Sequence, residues 1–187
     1  MRSTPFKKLD PVVLERWSPR AFSRAAIDPE TLDTLFEAAR WSPSCFNEQP
    51  WFFLVTDTPG ALERMQPVIL DGNRTWADQA PVLTLLFARR SFTKGGKPNR
   101  WAGFDTGAAW MSLATQAARL GLITHAMGGF SGEKALEVAG LDPAEWEAMA
   151  AIAIGRPGDP AELNDNLRSR EEPSDRLPLD RIRRRLT

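Results

Sequence analysis

The sequence is poor in the residues that build disulfide frameworks and metal centres. Its 187 residues include one cysteine, Cys45, and one histidine, His125. An internal disulfide and a Cys- or His-rich zinc site are therefore excluded, and we predict no metal site. Lys and Arg together number 24, as do Asp and Glu. This balance provides no net positive field, so we predict that nucleic acid is not a partner.

Long apolar runs and the common catalytic motifs are also missing. No run approaches the roughly 20 apolar residues of a membrane span, and the N-terminus MRSTPFKKLDP has no apolar signal-peptide region. We predict a cytoplasmic protein that does not enter a membrane. GxxxxGK[ST], GxSxG and HExxH are absent, and GGFSG at 128–132 is not a GxGxxG fingerprint. A nucleophilic pair of Cys45 and His125 has no evident orienting group.

Aromatic residues are present in an unusual balance: seven Trp, ten Phe and no Tyr. Trp is normally core or interface material, but a site that stacks planar rings would also use it. Trp51, Trp76 and Trp101 are candidates for either role.

Helix and strand signals alternate along the chain. N-cap residues, two of them in Asp-Pro pairs, predict helices that begin near residues 11, 29, 59 and 132. Apolar runs predict strands at 51–55, 82–88, 122–127 and 150–155. Asp71-Gly72-Asn73 has the composition of a turn, and 142–145 has capping-box spacing. This alternation indicates an α/β or α+β layer fold.

Two segments have compositions that suit contact with another part of the protein or with a second subunit. A long helix over 104–122 is apolar around most of its circumference and rich in Ala and Gly, which suits a buried core or a subunit interface. After residue 157 the chain becomes polar and broken by prolines, so 158–187 cannot fold alone. We divide the chain into a domain of 1–157 and an extension of 158–187.

The candidate functional residues are donors rather than nucleophiles. Arginines flank Ser18 in RWSPR, amides occupy the loop SPSCFNEQ, and glycines occur together at 128–129. Arginines bind phosphate, amides bind planar heterocycles, and glycines allow close approach to the backbone. Because this set contains no acid, base or nucleophile pair, it predicts an enzyme whose cofactor carries the chemistry.

The sequence resembles the flavin-dependent nitroreductases. RWSPRAF is similar to their N-terminal Arg-x-Ser-x-Arg/Lys element, and PSCFNEQPW to their P-S-x-x-N-x-Q-P-W element. ADQAPVLTLLF, GLITHAMGGF, AAIAIGRP and SDRLPL follow in the same order as in that family. The resemblance covers nearly the whole chain.

The resemblance implies an α+β three-layer fold with a mostly antiparallel sheet, in a homodimer whose C-terminal arm, 158–187, wraps the partner. FMN would lie at the subunit interface, with NAD(P)H as electron donor. A nitroaromatic, quinone or other conjugated acceptor would follow NAD(P)H into the same pocket, in a ping-pong hydride mechanism. The implied cofactor contacts are Arg16, Trp17, Ser18, Arg20, Pro43, Ser44, Cys45, Asn47, Gln49, Asn73, Met127, Gly128, Gly129, Arg156 and Arg176.

Within this set the resemblance assigns separate roles. Arg16, Ser18 and Arg176 would contact the phosphate or ribityl chain, and Arg20 would face the N1/C2 carbonyl edge of the flavin. Gly128 or Gly129 would offer a backbone N–H to N5.

The chain departs from the family pattern at two positions. Gly128 stands where many members have Glu, and Ser174 stands where some have Lys. Arg156 or Arg170 could replace that Lys. Two alternatives stay open: a specialised flavin enzyme of the same superfamily, such as a dehydrogenase, deiodinase or flavin-fragmenting enzyme, and a flavin-binding protein without turnover.

Overall fold

The computed structural model describes residues 2 and 4–186. Helices are α1 (Pro11–Glu15), α2 (Pro29–Arg40), α3 (Pro59–Met65), α4 (Asp71–Ala77), α5 (Ala102–Arg119), α6 (Gly132–Ala139), α7 (Asp165–Arg168) and α8 (Leu179–Ile182). Strands are β1 (Phe22–Ser23), β2 (Trp51–Thr56), β3 (Val82–Arg89), β4 (Ile123–Met127) and β5 (Trp146–Pro157).

The N-cap signals form the hydrogen bonds that their residue types predict. Asp10 accepts from Val12 N, Asp28 from Thr31 N and Ser131 from Lys134 N, and each helix begins at the next residue. At 58 the cap side chain makes no such bond, but the predicted helix still begins at Pro59.

One antiparallel sheet organises the chain. β5 is central: it pairs with β3 along one edge and with β4 and then β1 along the other, while β2 extends the sheet beyond β3. β3 buries seven of its eight residues, and β5 buries residues 151–155, which pair with β4 on one edge and, at 151–154, with β3 on the other. The predicted α+β fold with an antiparallel sheet is confirmed.

Helices cover both faces of the sheet. On one face α2 and α5 pack Leu35 and Leu113, both 0% exposed, against Ile152 and Ile154 of β5. On the other face Trp76 of α4 and the segments around α3 and α6 enclose a second core with Phe87. These are the three layers that the resemblance implies.

Two local predictions are wrong. Asp71-Gly72-Asn73 is not a turn but the first turn of α4. This helix buries Trp76 and Ala77 completely, and that packing outweighs the turn propensity of its first residues. The capping-box segment 142–145 opens no helix, although Asp142 accepts from Ala144 N, because β5 begins at Trp146 and pairs with Arg89.

The C-terminal extension divides into two parts. Leu163 and Leu167 are 7% and 8% exposed and belong to the core of the same chain. Leu177 and Ile182 are both 68% exposed. The extension therefore packs on its own chain through Leu163 and Leu167, whereas residues 172–186 are all exposed.

A large apolar surface is exposed at the N-terminal end of α5. Trp41, Phe46 and Phe104 are 74%, 88% and 77% exposed, and Trp101 and Met111 are each more than 40% exposed. Apolar patches of this kind are rare on monomeric proteins and mark interaction sites. Across residues 2 and 4–186, no helix has the length and apolarity to cross a membrane.

Candidate functional site

Arginines from both ends of the chain converge on one cavity, which we call the arginine cavity. It has a volume of about 340 Å³. The residues that line it are Arg2, Arg16, Trp17, Ser18, Arg20, His125, Arg170, Glu172, Ser174 and Arg176. Arg2 ties the two termini together, because its Nε donates to Ser174 O at 2.9 Å and its Nη1 to Arg16 O at 2.8 Å.

The guanidinium groups of the arginine cavity repel one another. Burial lowers the pKa of Arg16, and the charges of Arg176 and Arg2 lower it further. Burial likewise lowers the pKa of Arg2, followed by repulsion from Arg176. Arg16 Nε is buried and has no hydrogen-bond partner among the described residues. A bound anion would relieve both the repulsion between the guanidinium groups and the missing hydrogen bond of Arg16 Nε.

Arg20 lies where the arginine cavity meets β1. Its backbone N donates to Glu171 Oε1 at 2.6 Å, and Ala21 N donates to the same oxygen at 2.8 Å. The Arg20 side chain is 25% exposed, with Nη1 3.7 Å from Glu171 Oε2. The tail thus fixes the main chain that carries Arg20.

His125 connects the arginine cavity to β4 and α4. Its Nδ1 lies 2.9 Å from Pro19 O, and its ring centroid is 4.5 Å from that of Trp76. Burial lowers the pKa of His125, against the opposing effect of the Pro19 carbonyl, so the ring is neutral at pH 7. Cys45 lines a different cavity. The two residues are therefore not arranged as a nucleophilic pair.

Gly128 and Gly129 follow directly after β4, next to Asn73 of α4. Gly129 O accepts from Asn73 Nδ2 at 3.1 Å and from Leu70 N at 3.0 Å. The same helix contributes Thr75 to a cavity that Arg20 also lines. Arg20 thus lines both this cavity and the arginine cavity, and α4 carries Asn73 as well as Thr75.

The two glycines should respond differently to alanine. A Cβ on Gly129 would lie 2.3 Å from Asn73 Nδ2, whereas one on Gly128 would meet nothing within 4 Å. We expect Gly129→Ala to displace the Asn73 amide and cost about 1 kcal/mol of unfolding free energy, the usual value of one hydrogen bond. Gly128→Ala should stay within about 0.5 kcal/mol of wild type. Urea unfolding of both variants measures this, and equal losses would contradict the contact.

The loop 43–49 is held in a strained conformation at the other end of α5. Phe46, Asn47 and Gln49 have φ values of 53°, 58° and 48°. Such values cost non-glycine residues about 1–3 kcal/mol each and concentrate at functional sites. Ser44 Oγ accepts from Gln49 N at 2.9 Å, which stabilises the loop internally.

Asp105 anchors this loop to α5. Asp105 is 4% exposed, and its carboxylate accepts from Cys45 N at 2.9 Å. Pro43, Ser44 and Cys45 line a shallow apolar cavity with Trp101 and Phe104.

The loop and the arginine cavity are far apart within one chain. Ala118, near the C-terminal end of α5, lines a cavity with Arg16 and Trp17, whereas Asp105 near the N-terminal end holds the loop. At about 1.5 Å per residue, these helix positions are roughly 20 Å apart. One copy of the chain does not bring the loop to the arginine cavity.

The structure therefore sorts the predicted site residues into groups. Arg16, Trp17, Ser18, Arg20 and Arg176 line the arginine cavity, with Asn73, Gly128 and Gly129 on the adjoining surface. Pro43, Ser44, Cys45, Asn47 and Gln49 form the loop at the other end of α5.

Met127, Arg156 and the three candidate tryptophans do not line the arginine cavity. Met127 is 5% exposed in the core, so only its backbone is accessible from the site. Arg156 pairs with Ser23 on β1, lies near Asp28 and does not line the arginine cavity. Trp76 is core material, Trp51 packs partly buried against the α2–α5 core, and Trp101 borders the loop.

Sequence reasoning missed Arg2 and Glu171 as site residues. Some members of the family have Lys at the position of Ser174. Arg170 lines the arginine cavity and Arg156 does not, so Arg170 is the better candidate to supply the missing positive charge. Nowhere in residues 2 and 4–186 do three or more His, Cys, Asp or Glu side chains form a group that could hold a metal ion.

Comparison with known proteins gives a consistent result. The model of the Nitroreductase family matches residues 13–75 and 70–156. A protein of Streptomyces coelicolor with the provisional name NADH dehydrogenase/NAD(P)H nitroreductase is 28% identical over 166 residues, which cover 75% of this chain and 78% of that protein.

Solved structures share the whole fold. A crystal structure described as an oxidoreductase containing FMN is 37% identical, with a TM-score of 0.92 over 100% of this chain and 96% of that one. A provisionally named nitroreductase from Desulfovibrio desulfuricans, in complex with FMN, is 26% identical with a TM-score of 0.73, and the match covers 95% of each chain.

Proposed function

The chain belongs to the nitroreductase family, and on that premise we propose that it is an FMN-dependent NAD(P)H oxidoreductase. The observation that carries the proposal is the arginine cavity, where Arg2, Arg16 and Arg176 repel one another beside His125 of β4. The similar protein of known structure described as containing FMN supports the same cofactor.

The residues present fit this cofactor. The phosphate would take the place beside Arg16, Ser18 and Arg176, where Arg16 Nε lacks a partner among the described residues. The surface of Asn73, Gly128 and Gly129 would face the ring system. A single cluster of arginines suits the one phosphate of FMN better than the diphosphate of FAD.

FMN, when bound, supplies the redox chemistry by taking two electrons from NAD(P)H and giving them to an acceptor. The chain's own residues bind and orient it. Arg20 places a positive charge on the cavity wall, which favours the binding of electron-rich groups. Gly128 has no side chain, which leaves room beside its backbone for NAD(P)H and then the acceptor to approach the flavin. We propose a nitroaromatic, a quinone or another small conjugated molecule as the acceptor.

We also propose that the working unit is a homodimer in which each site combines two subunits. The loop 43–49 is strained and lies among exposed apolar side chains. It is held at Asp105, roughly 20 Å along α5 from Ala118, which lines a cavity with Arg16 and Trp17 of the same chain. A second copy would cover the apolar surface and bring its loop to the ring end of the first copy's site. Residues 177–186 would add contact area as an arm. Interfaces of this obligate kind bury on the order of 2,000 Å² or more.

The cofactor is tested by denaturing the purified protein and separating the released flavin by chromatography. We expect FMN at one per subunit. Release of FAD, or of no flavin after reconstitution with FMN, would refute the proposal.

The composite site is tested by complementation between two damaged subunits. The first carries Arg176→Ala and the second carries Asn47→Ala with Gln49→Ala, and we expect each alone to bind FMN weakly. In a mixed dimer one site combines the intact cavity of the second subunit with the intact loop of the first. Fluorescence titration should then recover wild-type affinity at one site per mixed dimer. If mixing restores no tight site, cavity and loop act within one chain.

A further inference from the structure

A buried carboxylate adjoins the arginine cavity and has no role in the function proposed above. Glu171 belongs to the tail, and its side chain is only 3% exposed. Its Oε1 accepts from the backbone N of Arg20 at 2.6 Å and of Ala21 at 2.8 Å. Burying a carboxylate is costly unless hydrogen bonds and an opposite charge compensate it.

The second oxygen of Glu171 is only partly compensated. Oε2 is buried and has no hydrogen-bond partner among the described residues. Arg20 Nη1 lies 3.7 Å away, within the range of an ion pair but too far for a good hydrogen bond. The carboxylate thus holds the guanidinium on the wall of the cavity through the attraction of opposite charges and not through a hydrogen bond.

The remaining charges around Arg20 are mostly positive. Arg2, Arg16, Arg170 and Arg176 line the same cavity, and Glu172 is the other acidic residue there. Glu172 is exposed, whereas Glu171 is shielded from water, so Glu171 acts on Arg20 with less screening.

We propose that Glu171 is a positioning residue that holds the Arg20 guanidinium against the cavity wall and thereby lowers the midpoint potential of the bound FMN. This proposal rests on the proposed function. A cation close to a group that gains electrons favours the reduced form, because reduction adds negative charge. By restraining Arg20, Glu171 limits that effect. The tail therefore adjusts the cofactor's electron affinity as well as closing the cavity.

Glu171→Gln distinguishes the effect of Glu171 on the Arg20 guanidinium from its hydrogen bonds to the main chain. The glutamine amide oxygen can still accept from Arg20 N and Ala21 N, but the attraction for the guanidinium is lost. We expect the FMN potential to rise by about 30 mV, which is a tenfold change in the redox equilibrium of a two-electron couple. In an Arg20→Ala background the same substitution should shift the potential by less than half as much. Glu145→Gln is the matched control, because Glu145 is exposed and lines neither the arginine cavity nor the loop, and it should change the potential little.

Spectroscopic redox titration of the flavin-loaded variants gives these values without measuring turnover. Glu171→Asp keeps the negative charge on a shorter side chain, so the FMN potential should rise less than in Glu171→Gln. This variant replaces Glu171→Gln in the test if the glutamine variant is unstable. An unchanged potential in Glu171→Gln, or an equal shift with and without Arg20, would overturn the positioning role. Wild-type protein that binds no FMN would overturn the proposed function as well, so the two failures are distinguishable.

Discussion

Replacing Arg16 with methionine is expected to weaken FMN binding by about 10- to 100-fold without lowering the stability of the cofactor-free protein. A hydrogen bond to a charged group contributes about 1.5–3 kcal/mol, and each 1.4 kcal/mol is about tenfold in affinity. In the cofactor-free protein the same guanidinium is repelled by Arg176 and Arg2, and its Nε is buried without a partner among the described residues. Methionine keeps an apolar side chain for packing and removes the charge.

Two measurements on the Arg16 variant check the opposite effects. FMN fluorescence titration should show the loss of affinity, and thermal unfolding of the cofactor-free protein should show an unchanged or raised Tm. Arg156→Met is the matched control, because Arg156 lies near Asp28 and outside the arginine cavity. If Arg156→Met weakened FMN binding as much as Arg16→Met, the cavity would not be the phosphate site.

Gly158→Ala is expected to be the most destabilising small substitution near the site. A Cβ at this position would lie 2.5 Å from the backbone carbon of Phe22, 2.6 Å from its oxygen and 2.8 Å from Ser23 N. Backbone atoms of a paired strand cannot move aside as a side-chain tip can. Overpacking of this kind costs about 1–3 kcal/mol and occasionally more.

The same substitution should disturb the cofactor site. Gly158 N donates to Ala21 O at 2.9 Å, and Ala21 follows Arg20 directly. Displacing β1 would therefore move the main chain that Glu171 holds, and FMN affinity should fall together with stability.

Gly72→Ala provides the control for the loss of a glycine. Gly72 is exposed in α4, and a Cβ there meets nothing within 4 Å. Within a helix this change should stabilise by about 0.5–1 kcal/mol. Urea unfolding compares the two variants, and a Gly158→Ala variant as stable as Gly72→Ala would contradict the close contact with Phe22.

Features that depend on neighbouring residues could be predicted from the sequence. The caps at Asp10, Asp28 and Ser131 form because their partners are two or three residues away. Strands β2 to β5 are found because their apolar runs mark strands without knowledge of their partners, whereas β1, with two residues, has no such run and was missed.

Features that depend on packing between distant parts of the chain were predicted wrongly or missed. Asp71-Gly72-Asn73 has turn residues, yet α4 forms because Trp76 is buried in the core. Asp105 looks like a surface residue of α5 until the loop residue Cys45 donates to it.

The list of site residues is incomplete for the same reason: contacts between distant residues cannot be found from the sequence. The resemblance identified Arg16, Ser18 and Arg176, whose positions match known elements. Arg2 and Glu171 match no such element, and their contacts with Ser174 and Ala21 join residues 150 or more positions apart. Only the folded chain shows that the two termini share one cavity.

Anaerobic titration of the purified protein with NADPH and NADH, followed by flavin absorbance, tests the central claim most directly. The account predicts that the oxidised-flavin absorbance near its visible maximum disappears with one equivalent of at least one nicotinamide per subunit, and that a nitroaromatic or quinone then restores it. A protein that holds FMN but keeps its full absorbance with both nicotinamides would contradict the assignment as an NAD(P)H oxidoreductase.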